Sequence, residues 1–260
     1  MNDRKKAAQR QQEDIALNRA MLWFGGAMVL ELLLLLVNRY FINFPMDQVK
    51  VALVLEKVLV VAAGLGVLGG AACAVWAWRQ FDAGKAYPFC TVLGAAWLLA
   101  LGVSAGLVVR FGRSAMQLLY ILVPAGAVLA LVYYLYQKEF FFSALGTGVG
   151  LLGLWLVRKN VGTHDMLVNL YVIVGAVFLL GLAVLMFRLK KSGGTVAFRG
   201  RKMELLGAQS NFLLVIGSAL VSLLAMLVGL LLGSTVAFYL LFALVAWLFL
   251  LLVYYTVKLM

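Results

Sequence analysis

One acidic residue lies deep inside an apolar stretch of this chain. Glu31 stands eleven residues after Ala20, where the first apolar run begins, within the segment GGAMVLELLLLLV. A carboxylate at that depth in a bilayer costs about 2.5–3.5 kcal/mol on insertion scales, so it must be neutral or paired. Three roles suit it: a structural ion pair, a protonated carboxyl bonded to a neighbouring helix, or a proton or cation relay in a transporter.

Lys57 is the cation that can pair with Glu31. The turn between the first two apolar runs lies near Phe44 and Pro45, with Glu31 thirteen residues before Phe44 and Lys57 thirteen residues after it. Equal distances from the turn of an antiparallel hairpin place two residues at similar depth. We therefore predict an intramembrane ion pair of Glu31 and Lys57, with Glu31 as a proton site as the alternative. A position of Lys57 at the membrane interface would argue against the pair, because residues 58–78 alone can span a bilayer.

The other polar residues favour no enzymatic chemistry. His164 is the only histidine and lies in the loop 162–165, where a helix cap explains the polar residues and no second ligand accompanies it. Cys73 and Cys90 belong to no CxxC pattern. The sequence contains no HExxH, no GxSxG and no nucleophile beside a base. We predict no catalytic residue, no metal and no cofactor.

Composition places these residues in a membrane. The chain is 65% hydrophobic and 12% charged, with a mean hydropathy of +1.04, whereas soluble domains carry about 25% charged residues. A hydrocarbon core of about 30 Å needs roughly 20 apolar residues at 1.5 Å each. We predict an all-α integral membrane protein with eight transmembrane helices, at 20–40, 51–78, 89–109, 115–136, 140–157, 166–187, 211–232 and 236–257.

The positive charges predict orientation and a lipid partner. Lys and Arg outnumber Asp and Glu by 22 to 10, and they lie almost entirely between the apolar runs, which favours anionic lipid headgroups over nucleic acid. Fifteen of the cations fall on the side of the N-terminus and six on the opposite side. The positive-inside rule then predicts a multi-pass protein of the plasma (cytoplasmic) membrane, with both termini in the cytoplasm and anionic headgroups at its cytoplasmic face.

Small residues predict where helices approach each other. A stripe at a spacing of four follows one face of the second span, and GxxxG pairs occur in three other places. Pro124 lies near the middle of the fourth span and is expected to kink it. The predicted packing positions are Ala62, Gly66, Gly70, Ala74, Gly102, Gly106, Gly146, Gly150, Gly229 and Gly233.

Two echoes indicate two related halves. LVYY occurs at 131–134 and at 252–255, an offset of 121, and LLLVNR at 34–39 resembles LWLVRK at 154–159, an offset of 120. Each LVYY is followed by a lysine, which is typical of an aromatic belt at a membrane surface. We predict a basic cytoplasmic segment 1–19 that extends the first helix, a four-helix unit 20–139, and a parallel second unit 140–260 with a basic cytoplasmic loop 188–210.

Two classes of function fit this pattern. The first is a non-catalytic membrane scaffold or accessory subunit, whose Gly-rich faces bind a membrane-protein partner or a second copy of the chain. The second is a small secondary transporter for a hydrophobic or lipid-like substrate that uses Glu31. The scarcity of intramembrane polar groups favours the first class. A midplane cavity between the two halves, lined by Glu31, Tyr120 or Asn169, would favour transport, and an exposed Gly-rich face would favour partner binding.

Overall fold

A computed structural model describes residues 2–82, 89–159, 166–193, 195–198, 201–204, 206 and 210–259. Eight of its helices are long and apolar enough to cross a membrane. The prediction of a helical, multi-pass membrane protein is confirmed at that level, whereas the orientation of the termini and the repeat stay predictions. The helices are α1 (Asn2–Val37), α2 (Val49–Asp82), α3 (Phe89–Phe111), α4 (Arg113–Leu135), α5 (Lys138–Lys159), α6 (Met166–Lys191), α7 (Phe212–Leu232) and α8 (Ser234–Leu259).

The first helix is longer than a single span. α1 continues without a break from the polar N-terminal residues into the first apolar run, because neither Gly nor Pro interrupts the chain before Gly25. Its end widens into a π-helical turn at Asn38–Ile42, closed by a 2.9 Å hydrogen bond from the Asn43 N–H to the Asn38 carbonyl. A 3-10 turn at Met46–Gln48 then leads into α2. The connection between the first two spans is therefore compact and mostly helical.

The segment 188–210 is more ordered than a polar loop. α6 continues to Lys191, and two short antiparallel strands follow, β1 (Thr195–Phe198) and β2 (Arg201–Glu204). Leu206, which comes after β2, is 3% exposed and belongs to the apolar core around α6 and α7. The sequence pattern misses this hairpin because four-residue strands with several charged residues carry too little periodicity to stand out.

The chain divides into two compact units, Met1–Tyr134 and Leu135–Met260, here called unit 1 and unit 2. In unit 1, α2 and α3 pack along each other, and a small apolar core joins them to parts of α1 and α4. In unit 2, α5 packs against α6, α7 and α8, and α7 also contacts α6 and α8 around a larger core. The predicted boundary and the relation of the two halves by a repeat stay predictions.

Single glycines join α3 to α4 and α7 to α8. Gly112 has φ +53° and Gly233 has φ +87°, a region that residues with a Cβ atom rarely adopt. The N–H of Gly112 donates to the Val108 carbonyl at 2.8 Å, and that of Gly233 donates to the Gly229 carbonyl at 3.0 Å. Gly233 is thus a helix joint, and a Cβ atom there would meet nothing within 4 Å, so it does not serve the packing contact that its GxxxG spacing predicts.

Proline does not interrupt the fourth span. α4 continues through Pro124 from Arg113 to Leu135. The predicted kink at this residue stays a prediction.

Candidate functional site

α2 and α3 cross in direct backbone contact at Gly66 and Gly102. A Cβ atom on Gly66 would lie 2.6 Å from the Gly102 Cα atom, closer than the roughly 3.5–4.0 Å at which carbon atoms make favourable contact. A Cβ atom on Gly70, one turn along α2, would lie 2.6 Å from the Leu99 Cγ atom and 2.9 Å from the Leu99 backbone nitrogen. The centre of the predicted small-residue stripe is therefore occupied by α3. At the ends of the stripe, Ala62 is half-buried and Ala74 is exposed.

The same crossing shows which residues lie at equal depth. Gly106 faces Ala63 as Gly102 faces Gly66, so α2 and α3 run antiparallel. Lys57 precedes Gly66 by nine residues, or about 13 Å of helix, and α3 also ends nine residues after Gly102. Lys57 therefore lies level with the end of α3. We call this end of unit 1, which carries residues 38–48 and Gly112, the distal end.

Glu31 lies deeper than Lys57. Gly26 of α1 packs against the Trp97 indole of α3, and Glu31 and Gly102 each lie five residues further along these two helices, which both run toward the distal end. Glu31 is accordingly level with the α2–α3 crossing. Among the described residues no ion pair joins it to Lys57, which is exposed. The structure does not form the predicted pair, because packing on α3 sets the position of α2.

The carboxyl group of Glu31 is only partly surrounded by polar atoms. Its Oε2 atom is buried and has no hydrogen-bond partner among the described residues. Tyr120 of α4 is near enough to interact with it electrostatically, but the Tyr120 hydroxyl donates to the Leu34 carbonyl at 3.4 Å. An unpaired carboxylate is unfavourable at this depth. Of the three roles weighed for Glu31, the protonated carboxyl and the relay fit this environment better than the ion pair.

An apolar cleft of about 470 Å³ lies between α1, α2 and α3. Of the fifteen residues that line it, only Tyr40 and Ser104 carry a polar side-chain group. Along α1 the lining runs from Leu30, level with the α2–α3 crossing, to Tyr40, which is about 15 Å of helix. The cleft therefore extends through about half of a hydrocarbon core of ~30 Å and ends at the distal end of unit 1.

This cleft differs from the cavity that the sequence suggests. It lies within unit 1, and Glu31, Tyr120 and Asn169 are not among its lining residues. Glu31 is nevertheless the chain neighbour of Leu30, the deepest lining residue of α1. The carboxyl group itself does not line the cleft.

The predicted glycines of unit 2 are also used inside the unit. A Cβ atom on Gly150 would lie 2.8 Å from the Ser222 Cβ atom, and one on Gly146 would lie 3.2 Å from the Leu182 Cδ2 atom. Gly229 packs in the same way against Leu154. Neighbouring helices of unit 2 therefore occupy these faces.

Unit 2 contains an ion pair that the sequence pattern does not reveal. The Nζ atom of Lys258, near the end of α8, lies 3.2 Å from Oε1 and 3.1 Å from Oε2 of Glu139, in the first turn of α5. Glu139 is 6% exposed. Both residues lie between apolar runs in the sequence, where charged residues are usually at the surface. They are 119 residues apart, so no local pattern indicates that they are in contact.

Two buried hydroxyl groups accompany this ion pair. Tyr255 and Ser143 are fully buried, and neither hydroxyl has a partner with hydrogen-bond geometry among the described residues, although Tyr255 interacts with Ser143 and Glu139. One face of α5 carries three polar residues at a spacing of four, Glu139, Ser143 and Thr147. This spacing is the signal from which a polar cluster could have been predicted. Tyr255 is therefore a core residue, while its neighbour Tyr254 keeps the exposed position expected of an aromatic belt.

The described residues include no group of three His, Cys, Asp or Glu side chains that could hold a metal ion. His164 and the neighbouring residues Thr163 and Asp165, either of which is predicted to cap the sixth helix, lie outside the described residues. Comparison of the chain with protein-family models, with curated proteins and with solved structures finds no match. The apolar cleft of unit 1 is therefore the feature from which a function can be inferred.

Proposed function

We propose that this protein is a small secondary transporter for a lipid-like amphiphile, which it moves without chemical conversion. The apolar cleft of unit 1 binds the hydrocarbon part of the substrate. Glu31, the chain neighbour of the lining residue Leu30, carries a proton that accompanies the conformational cycle. The observation that carries the proposal is the cleft itself, because its size and apolar lining suit a hydrophobic ligand.

The depth of the cleft supports a lipid-like substrate. Its lining reaches from the level of the α2–α3 crossing to the distal end, which corresponds to the thickness of one leaflet, or about 15 Å. An acyl chain in that leaflet can enter sideways without leaving hydrocarbon. A path for a polar solute would instead need polar groups along its wall, and the lining offers only Tyr40 and Ser104.

The position of Glu31 supports a protonation step. A carboxyl group at this depth without an ion pair is most stable when neutral. Release of its proton becomes favourable only when water or a cation reaches the carboxyl group. Emptying and filling of the cleft would therefore change the proton occupancy of Glu31, as coupling requires.

The alternative is the non-catalytic scaffold or accessory subunit. That function depends on Gly-rich faces free to bind a partner or a second copy of the chain, but Gly66, Gly70 and Gly150 are covered by helices of their own unit. The scaffold therefore has less support than the transporter and becomes the conclusion if transport is not observed.

The proposal places the protein in the plasma (cytoplasmic) membrane with both termini in the cytoplasm. The excess of Lys and Arg on the side of the N-terminus supports this orientation through the positive-inside rule. The same cations supply contacts with anionic headgroups at the cytoplasmic face. In this orientation the distal end of unit 1 faces outward, and the cleft accepts substrate from the outer leaflet.

Transport of a fluorescent phospholipid by the purified protein in liposomes tests the proposal. The substitution Leu55→Trp places an indole in the cleft, because Leu55 lines it and is half-buried. The larger indole would overlap the space that the acyl chain occupies, so binding of the lipid in the cleft should be lost. Leu53→Trp is the matched control, since Leu53 is on the same helix, is exposed, and does not line the cleft.

We expect wild-type protein and Leu53→Trp to exchange labelled lipid between leaflets, and Leu55→Trp to do so at the rate of protein-free liposomes. Glu31→Gln should still bind lipid. Its lipid exchange should no longer be accelerated by a pH gradient, because the amide group cannot gain or lose a proton as the carboxyl group does. Equal exchange by both tryptophan variants would exclude the cleft as the substrate site. If wild-type protein gives no exchange at all, the transporter proposal is wrong.

A further inference from the structure

The distal end of unit 1, where the lining of the cleft ends and which we call its mouth, carries more positive than negative charge. The distal end of unit 1 carries five exposed cations and two exposed carboxylates. Among the cations, Arg113 is already engaged, because its Nη2 atom donates to the Asn43 side chain at 2.6 Å. The remaining charge is still positive, which favours an anionic group at the mouth. The cations are Arg39, Lys50, Lys57, Arg110 and Arg113, and the carboxylates are Asp47 and Glu56.

Arg39 and Lys50 are the cations closest to the mouth along the chain. They directly precede Tyr40 of the π-helical turn and Val51 of α2, the most distal lining residues of these two segments. Consecutive Cα atoms lie about 3.8 Å apart, so side chains of this length reach the rim of the cleft. Long cationic side chains also lay their methylene stems along apolar surface while the charged group stays at the headgroup level. The two residues are therefore exposed cations on the two segments whose most distal residues line the cleft.

We propose that the occupant of the cleft is an anionic phospholipid, with one acyl chain between α1, α2 and α3 and its phosphate between Arg39 and Lys50. This inference rests on the proposed function and specifies its substrate class. The cleft is one leaflet deep and suits one chain, so the second chain of the phospholipid remains in the bilayer. The cations at the mouth attract an anionic headgroup. They repel the positive charge of a zwitterionic headgroup and therefore favour the anionic lipid.

Native mass spectrometry of the full chain, titrated with phosphatidylglycerol and with phosphatidylcholine of the same acyl chains, tests this preference. Each Lys or Arg near an anionic surface contributes about 5-fold in affinity, so Arg39→Gln combined with Lys50→Gln should weaken phosphatidylglycerol binding roughly 30-fold. Phosphatidylcholine binding should be unchanged, which also shows that the variant is folded. Arg39→Lys keeps the charge and should keep the preference.

The matched control is Arg158→Gln combined with Lys159→Gln. These residues are exposed at the end of α5 in unit 2, and their replacement removes the same charge at a distance in sequence from the cleft. We expect this variant to bind phosphatidylglycerol as the wild type does. An equal loss in both double variants would mean that total charge and not the mouth determines binding, and would overturn the inference.

Leu55→Trp separates this inference from the function on which it rests. If wild-type protein binds both lipids equally and Leu55→Trp loses both, the headgroup preference is wrong and the cleft remains a lipid site. If Leu55→Trp binds both lipids as the wild type does, the cleft is not the lipid site and the proposed function fails as well.

Discussion

The contact between α2 and α3 offers a direct test of how unit 1 is held together. Gly66→Ala adds a Cβ atom 2.6 Å from the Gly102 Cα atom, 2.8 Å from its nitrogen and 2.9 Å from the Leu98 carbonyl oxygen. All three are backbone atoms, so no side-chain rotation can relieve the overlap. The two helices must separate by about 1 Å to restore ordinary carbon contacts of 3.5–4.0 Å.

Gly64→Ala on the same helix is the matched control. A Cβ atom there would meet nothing within 4 Å. Both substitutions gain the same ~1 kcal/mol of helix propensity, so this contribution cancels when the two variants are compared. Overpacking costs about 1–3 kcal/mol, and the difference in the free energy of unfolding between the variants should be of that size.

Thermal unfolding of the purified full chain in detergent measures this difference. With about 2–4 °C per kcal/mol for a chain of this length, Gly66→Ala should unfold roughly 2–12 °C below Gly64→Ala. Adding Gly102→Ala to Gly66→Ala should cost less than the sum of the single effects, because the helices have already separated. Equal midpoints for Gly66→Ala and Gly64→Ala would show that α2 and α3 do not touch at this crossing.

Two further predictions concern unit 2 and the orientation of the chain. Lys258→Met leaves the buried Glu139 carboxylate without its partner and should cost about 3–5 kcal/mol of unfolding free energy, whereas Glu139→Gln should cost about 1 kcal/mol because Lys258, at 32% exposed, still reaches water. Thermal unfolding of the two variants in detergent measures both losses of stability. Losses of similar size would contradict the expectation that the Glu139 carboxylate needs its partner more than Lys258 does. A cysteine at His164, in a chain without its two native cysteines, should react with an impermeant thiol reagent added outside the cell. Labelling only after the membrane is opened would refute the orientation with both termini in the cytoplasm.

The spans could be predicted because each is a long apolar run bounded by charged residues or by turn residues such as Gly233. The position of Lys57 could not be predicted in the same way. Counting residues from the turn treats the first two helices as a symmetric hairpin, but close approach at Gly66 and Gly102 fixes α2 relative to α3. Glycine spacing indicates that a helix face can be approached closely, and it does not say which helix will approach it.

The Glu139–Lys258 pair is a second feature that could not be predicted from the sequence. Charged residues at span ends are usually surface groups, and that reasoning treats Lys258 as a membrane anchor. The two residues are 119 positions apart, so only the packing of α5 against α8 brings them together. The cleft could not be predicted either, because it is a space between α1, α2 and α3, and no local sequence pattern indicates a gap between helices.

The two glycine joints restrict where this chain tolerates extra residues. Gly112 and Gly233 are each the only residue between two spans, so neither joint has length to absorb an insertion. One added residue would turn the following helix by about 100° and move it by 1.5 Å, which would carry Met116 and Leu119 of α4 out of the apolar core of unit 1. A tag or fusion partner therefore belongs in the segment around β1 and β2, where the chain already leaves the pattern of apolar spans, and not at the shortest connections.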